Sequence, residues 1–174
     1  GAVLGAGDAA SSVRQDGTGG VSIVTANVLA PSANGIEVMS GANSLGGIVI
    51  DSTAGAIRAF NNGIEVDNGG EGLVGISAAD ISTSEGKGIE VTLGELSTGV
   101  SIDSTAGTIN SDATGVWVYN AGVGDTVIFA ADISSANESG VFAFNQDAAG
   151  SITIDTTAGT IEQGLYGVDA LNDG

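Results

Sequence analysis

The chain has 174 residues and a formal net charge of −18, and this composition excludes several classes of function. Its three cationic side chains provide no basic surface for nucleic acid, whose phosphates require one. Cysteine and histidine are absent, which removes disulfides, thiolate metal sites and the commonest metal ligand and general base. No apolar run approaches the length of a membrane helix, so we expect no direct membrane insertion of this segment.

An eight-residue segment, Ile-Asp-(Ser/Thr)-Thr-Ala-Gly-(Thr/Ala)-Ile, organises the sequence. It occurs at residues 50–57, 102–109 and 154–161, so the copies begin 52 residues apart. A related segment, Ile-X-Ala-Ala-Asp-Ile, occupies residues 76–81 and 128–133, and residues 23–28 hold an earlier version. The basic period is therefore 26 or 27 residues, with two alternating kinds of unit, and a fixed period of this size indicates a repeat architecture.

In chain order, residues 1–20 are predicted to form one degraded or partial coil, in which Val13 falls where Val66 falls later. Six coils follow in residues 21–174, each with three short strands. The first strand contains the leading isoleucine of the unit, and the second follows it after a corner. The third strand is a tetrad of the form Gly-apolar-X-apolar. These tetrads begin at Gly35, Gly63, Gly88, Gly115, Gly140 and Gly167.

Clean alternation within the strands, as in Ile89-Glu90-Val91, places apolar side chains on one face and polar ones on the other. Thirty glycines against one proline suit short strands joined by corners, where glycine supplies positive φ. An antiparallel sandwich is the alternative, but tight hairpin turns are not the regular connectors. The sequence predicts an all-β, single-domain, right-handed parallel β-helix (a solenoid), and a chain that begins and stops within a repeat indicates a fragment of a longer one.

Three glutamates occupy the outward position of the third strand in successive coils: Glu37, Glu65 and Glu90. Stacked like charges repel, so one interpretation is a ladder that binds a cation, with Ca²⁺ favoured by the hard carboxylate oxygens. The alternative is a solvated edge whose carboxylates splay apart, helped by Arg58 and Lys87 nearby. No metal site is predicted firmly, and no other cofactor is expected.

Other polar residues recur at fixed register and are predicted to be structural. Asp51, Asp103 and Asp155 follow a strand directly, where aspartate caps a turn by accepting backbone N–H bonds. A second series is formed by Asn27, Asp80 and Asp132. A corner series is formed by Asn68, Asn120, Asn145 and Asn172. We expect the corner amides to bond from coil to coil and to adopt left-handed backbone.

The aromatic residues break the repeat. Trp117 and Phe142 replace glutamate at the outward position, and Tyr119 and Phe144 sit two residues further on. They are predicted to form a two-by-two patch on adjacent coils, which Leu171 extends. Exposed apolar patches mark interaction sites, and tryptophan and tyrosine dominate interface anchors. The alternatives are a loop that covers this edge or simple stacking between coils.

The eight-residue segment, the Gly-Ile-Glu-Val tetrads and the Asn-X-Gly-X-Gly corners together resemble the repeats of autotransporter passenger domains of Gram-negative type V secretion. The resemblance covers residues 20–174 approximately and implies a secreted right-handed β-helix, joined elsewhere to a signal peptide and an outer-membrane barrel. It implies no catalytic residues. The expected location is extracellular, at the bacterial cell surface.

These observations favour a structural or adhesive segment of a secreted bacterial surface protein, without enzymatic activity, that contacts a glycan or a protein surface. A first alternative is a subunit that self-associates into an extracellular fibre or surface layer. A second alternative is a polysaccharide-cleaving β-helix enzyme, which predicts a non-repeated cleft of acidic and basic residues. The three cations are not clustered in the sequence, which argues against that enzyme.

Overall fold

The computed structural model describes residues 2–6 by their backbone and residues 11–173 with their side chains. No helix lies among these residues, and hence none that could cross a membrane. The strands up to residue 78 are β1 (Ala2–Ala6), β2 (Ser11–Gln15), β3 (Val21–Thr25), β4 (Val28–Ala30), β5 (Ile36–Ser40), β6 (Ile48–Ser52), β7 (Ile57–Ala59), β8 (Ile64–Asn68) and β9 (Gly72–Ala78). The later strands are β10 (Ile81–Thr83), β11 (Ile89–Leu93), β12 (Ser97–Ser111), β13 (Val116–Asn120), β14 (Asp125–Ser135), β15 (Val141–Asn145), β16 (Ile152–Asp155), β17 (Ile161–Gln163) and β18 (Val168–Asn172).

All of these strands pair in parallel, and the chain winds as a β-solenoid of about six turns with about 26 residues per coil. The third strands of the coils form a seven-stranded sheet in the order β18-β15-β13-β11-β8-β5-β2. The first and second strands form an eleven-stranded sheet, because β12 and β14 each run through both positions. The sequence predicts separate first and second strands there; in β12 the corner is instead a register shift between Ser104 and Thr108. The right-handed winding stays a prediction.

The core is a set of aliphatic columns that run along the solenoid axis. In one column each leading isoleucine is the register partner of the next: Ile23, Ile50, Ile76, Ile102, Ile128 and Ile154. The first five are at most 2% exposed. Burying one such side chain contributes about 1.5–3 kcal/mol. The predicted stacking of coils about a shared apolar interior is therefore confirmed, and the antiparallel sandwich is wrong.

The two alternating kinds of coil interlock at the corner between the first and second strands. The Oδ1 atom of Asp80 accepts the backbone N–H of Thr108 in the next coil at 3.0 Å. Gly107 fits against the preceding coil so closely that a Cβ there would lie 2.6 Å from the backbone carbonyl carbon of Ala79. The hydrogen bond recurs in the other two pairs of coils, Asp132 with Thr160 and Asn27 with Ala56. One kind of coil supplies the acceptor and the other supplies the glycine, so the structural unit is two coils.

Most glycines allow close contact between neighbouring coils and do not adopt positive φ. Among the described residues only Gly72 and Gly99 have positive φ, at 97° and 116°. The glycines that open the tetrads pack instead against the next coil. A Cβ on Gly88 would lie 2.5 Å from the carbonyl oxygen of Gly115 and would collide with the Cγ2 atom of Ile109. The expectation that glycine supplies positive φ at corners is therefore confirmed at these two positions, and the other described glycines do not have it.

Strands β1 and β2 extend the two sheets at the start of the chain. Strand β1 pairs with β3, and β2 pairs with β5 in a register that places Val13 beside Val38. Val38 in turn pairs with Val66, so Val13 and Val66 share one repeat position, as the repeat pattern predicts. Residues 7–10, where a second strand of this coil would fall, lie outside the described residues.

Candidate functional site

The outer face of the seven-stranded sheet is the candidate functional site because its side chains change character along the solenoid. Two outward columns run along this face. The first column contains Ser12, Glu37, Glu65, Glu90, Trp117, Phe142 and Asp169. The second column contains Arg14, Met39, Asp67, Thr92, Tyr119, Phe144 and Leu171. The face is thus acidic over the earlier coils and aromatic over the later ones.

The acidic part of the first column is held by side-chain amides. Asn62 donates its Nδ2 group to Glu65 Oε2 at 2.9 Å and to Glu90 Oε2 at 2.6 Å. Asn34 donates to the same oxygen of Glu65 at 2.8 Å. Since these donors lie between the coils, the stacked carboxylates share hydrogen bonds and their mutual repulsion is offset. Glu37 precedes Glu65 in the same register.

These contacts account for the positions of Glu65 and Glu90, whereas Glu37 is not part of them. Within the described part of the chain, no three His, Cys, Asp or Glu side chains lie close enough together to hold a metal ion. Arg58, the other expected neighbour of the glutamates, lies on β7 in the eleven-stranded sheet, whereas the glutamates lie on the seven-stranded sheet. Lys87 does take part, and it pairs with Glu90 at 2.8 Å, with both side chains about three-quarters buried (25% and 21% exposed).

Lys87 also joins the acidic and aromatic parts of the face. Its Nζ atom lies 5.0 Å from the centre of the Trp117 ring, within the range of a cation–π contact. Glu90 and Trp117 are register partners on β11 and β13, so one ammonium group contacts a carboxylate and an aromatic ring on adjacent coils. A contact of this kind is worth about 0.5–2 kcal/mol.

The four aromatic rings form the expected two-by-two array. Trp117 stacks on Phe142 with ring centres 5.9 Å apart, and Tyr119 stacks on Phe144 at 5.4 Å. Trp117 and Tyr119, on one strand, are 6.4 Å apart and nearly parallel. All four side chains are half-buried, and Leu171 continues the second column with 51% of its surface exposed. The Tyr119 hydroxyl donates to Gln146 Oε1 in the next corner at 2.9 Å, and part of each ring stays accessible to solvent.

A cleft of about 260 Å³ borders the array on the side of the last coil. Trp117 and Phe142 form one wall. The remaining lining residues are Thr114, Glu138, Ser139, Leu165, Tyr166 and Asp169. Glu138 accepts a hydrogen bond from the Thr114 hydroxyl at 2.6 Å. The cleft therefore combines aromatic surface with two carboxylates.

The recurring aspartates form turn caps on the eleven-stranded sheet. The Oδ1 atom of Asp51 accepts the Thr53 hydroxyl at 2.7 Å and the Thr53 backbone N–H at 3.0 Å. The same pair of bonds recurs twice, in Asp103 with Thr105 and Asp155 with Thr157. The hydroxyl and backbone hydrogen bonds of Thr53 hold the pKa of Asp51 below its usual value, and those of Thr157 do the same for the pKa of Asp155.

This cap leads to a pH-dependent prediction for Asp51→Asn. A carboxyl group with a lowered pKa in the folded state stabilises the fold above its usual pKa of 3.8, and this contribution is lost as the pH falls through the lowered value. Asparagine keeps the acceptor oxygen but not the charge. We expect the variant to be less stable than the wild type at pH 7 and the difference to vanish between about pH 4 and pH 2.

Urea denaturation followed by circular dichroism across this pH range measures that difference. Glu71→Gln is the matched control, because it removes one charge from an exposed corner and leaves the Asp51 cap intact. In a chain of net charge −18 the control should be as stable as the wild type or more so. Equal stability of Asp51→Asn and the wild type at pH 7 would contradict the cap.

The corner asparagines are buried and connect coils through a hydroxyl group. Asn68, Asn120 and Asn145 are 0% exposed. Asn120 donates to Thr126 Oγ1 at 3.2 Å, and Thr126 donates to Asn145 Oδ1 at 2.7 Å. The expected left-handed backbone is wrong, because no described residue other than glycine has positive φ.

The asparagine column is also interrupted. Leu93 takes the register position between Asn68 and Asn120. Asn172 pairs in register with Asn145 on the last coil, where it is exposed.

Two clefts on the opposite sheet bear on the alternative of a glycan-cleaving enzyme. They have volumes of about 390 Å³ and 340 Å³ and follow the second strands. Arg58 and Asp80 line the first, and Asp132 and Glu162 line the second. Asp80 and Asp132 already accept backbone N–H bonds from the next coil, which is a structural role.

Sequence reasoning did not identify the residues directly before the tetrad glycines as part of the face. Asn34, Asn62 and Lys87 occupy that position in three successive coils, and Tyr166 occupies it in the last. The recurrence of Asn-Gly before Ile-Glu-Val, in two coils that carry a stacked glutamate, is the signal that could have found the first two. Comparison with known protein families, curated proteins and solved structures found no match. The geometry of this face is therefore the basis for a functional hypothesis.

Proposed function

We propose that this chain is a structural and adhesive segment of a secreted bacterial cell-surface protein, a rod that presents the aromatic array as a contact surface for a glycan or a protein. The observation that carries the proposal is the partly exposed array of Trp117, Tyr119, Phe142 and Phe144, which replaces the acidic residues of the earlier coils in the first column. The extracellular location is supported by the resemblance of the repeats to autotransporter passengers.

The architecture suits display because the rod is rigid and regular. Successive coils are about 4.8 Å apart, and each coil contacts only its neighbours, so a surface feature is held at a fixed distance along the axis. The structural hydrogen bonds recur from coil to coil, whereas the aromatic array occurs once. A feature that breaks a repeat at an exposed position is where a specific contact is expected, since large aromatic side chains anchor interfaces.

The test of the proposed function is a change of Trp117 and Phe142 to glutamate, which restores the character of the earlier coils. Beads that carry the purified chain are applied to a panel of surfaces coated with purified glycans and extracellular matrix proteins. We expect wild-type beads to attach to at least one surface and the double variant to attach at least about tenfold less, because interface anchors contribute 1.4 kcal/mol or more.

Phe129→Glu is the matched control, because Phe129 is a half-exposed aromatic residue on the outer face of the opposite sheet. Beads with this variant should attach like the wild type. Far-ultraviolet circular dichroism checks that all three proteins are folded. Attachment of the double variant at the wild-type level, or failure of the wild type on the entire panel, would contradict the proposed contact surface.

A further inference from the structure

The ammonium group of Lys87 shows which kind of group the stacked rings of Trp117 and Phe142 accommodate in the first column. It lies 5.0 Å from the centre of the Trp117 ring and 2.8 Å from Glu90 Oε1. The cation is thus held between an aromatic ring and a carboxylate on neighbouring coils. This is a favourable arrangement, because the electron-rich ring face and the carboxylate both attract positive charge.

Around Phe142, the second ring of the same column, an aromatic ring and carboxylates again lie close together, but no cationic side chain of the described residues lies beside them. Phe142 stacks on Trp117 from the following coil, and Asp169 is the register partner of Phe142 on the last coil. Asp169 and Glu138 line the cleft beside Phe142, and no lysine or arginine lines it. Among the described residues, Asp169 accepts no hydrogen bond, and Glu138 accepts one, from Thr114, on its Oε2 atom. The cleft therefore presents carboxylate oxygens that have no cationic partner.

The aromatic rings are less suited to a sugar. A pyranose ring stacks on an open aromatic face, but Trp117 already has Lys87 from the preceding coil and Phe142 from the following coil. An acidic glycan is disfavoured further by the net charge of −18 and by the two carboxylates of the cleft. A positively charged side chain needs less ring surface, and it matches the charge of the cleft.

We infer that the cleft beside Phe142 binds a lysine or arginine side chain of a basic protein segment, in the way that Glu90 and Trp117 hold Lys87. The inference rests on the proposed contact function and names its partner. In the complex the cation lies between the Phe142 ring and the carboxylates of Asp169 and Glu138. Tyr166, which lines the cleft and is 55% exposed, covers the aliphatic part of the bound side chain.

The experiment uses Trp117 as the reporter, because it is the single tryptophan of the chain and lines the cleft. The folded chain is titrated with a synthetic hexalysine peptide, with the same peptide acetylated on every lysine, and with a neutral chitohexaose. We expect a saturable change in Trp117 fluorescence with hexalysine that weakens as salt increases, and no change with the acetylated peptide.

A pair of charge-matched variants separates the cleft from the general acidity of the chain. Glu138→Gln with Asp169→Asn removes two charges inside the cleft and is expected to weaken hexalysine binding at least about tenfold. Glu71→Gln with Glu95→Gln removes two charges from exposed corners and should change the affinity less than about twofold. Thermal unfolding confirms that both double variants are folded.

Equal loss of affinity in the two double variants would overturn the inference, as would equal binding of the acetylated peptide. A fluorescence response to chitohexaose without one to hexalysine would also overturn it, while leaving the aromatic contact surface in place. Absence of any response to the three probes would overturn the inference as well, and the bead assay decides the proposed function separately.

Discussion

Replacement of Gly88 by alanine is expected to destabilise the solenoid by about 1–3 kcal/mol or more. The new Cβ would lie 2.5 Å from the carbonyl oxygen of Gly115 and would collide with Ile109 Cγ2. Neither neighbour can give way easily, because the Gly115 carbonyl accepts the Ile89 backbone N–H at 2.9 Å and Ile109 is a fully buried core residue. Urea denaturation followed by circular dichroism and by Trp117 fluorescence measures the loss.

Gly167→Ala is the matched control for that substitution. Gly167 opens the tetrad of the last described coil, where the nearest atom to an added Cβ is the Gln163 side chain at 4.0 Å. Since alanine fits there and restricts the unfolded chain, this variant should be as stable as the wild type or up to about 1 kcal/mol more stable. Comparable destabilisation by the two substitutions would show that crowding between coils is not the reason for glycine at this position.

Truncation of Ile102 to alanine is expected to cost about 2–5 kcal/mol. Ile102 is 0% exposed, and its register partners Ile76 and Ile128 hold it between two coils, so the cavity cannot collapse without breaking the stack. The free energy of unfolding obtained from urea titration is the measurement. Central coils of a solenoid have two neighbours each, and damage to one of them weakens two interfaces.

The control for this truncation is Ile154→Ala, which changes the same repeat position on the last coil. Ile154 is only partly buried and has one register neighbour, Ile128. We expect a loss below about 2 kcal/mol in the 174-residue chain. Losses of equal size at Ile102 and Ile154 would argue against an axial core in which burial increases towards the central coils.

The architecture could be predicted from the sequence because every level of the repeat points to the same arrangement. The leading isoleucines recur at a constant interval, the tetrads alternate in polarity, and identical units bury their apolar faces best in register. The columns of Ile50 and Ile102, and of Val66 and Val91, follow directly. The merging of first and second strands in β12 could not be predicted, because the corner in residues 102–109 carries the same motif as the one that separates β6 from β7.

The candidate site was predictable only where it breaks the repeat. The outward positions of Trp117 and Phe142 follow from strand alternation, so their stacking could be expected. The partners of the glutamates could not be derived in the same way. Asn62 and Lys87 belong to the segment before the tetrad, where side-chain direction depends on the corner geometry and not on a two-residue period. The position of Lys87 between Glu90 and Trp117 could not be derived either, because it depends on residues of two different coils.

The interlocking of unlike coils through Asp80 and Gly107 restricts how such a rod can change in length. A single deleted coil would bring two coils of the same kind together. Two coils with the acceptor of the Asp80 position, or two coils with the close-fitting glycine of the Gly107 position, would then meet. Loss or duplication of whole pairs keeps every junction intact. Tandem duplication of the underlying gene segment would therefore lengthen the rod in steps of roughly 10 Å. Segments on either side of the insertion would move apart by that amount, and the packing between coils would not change.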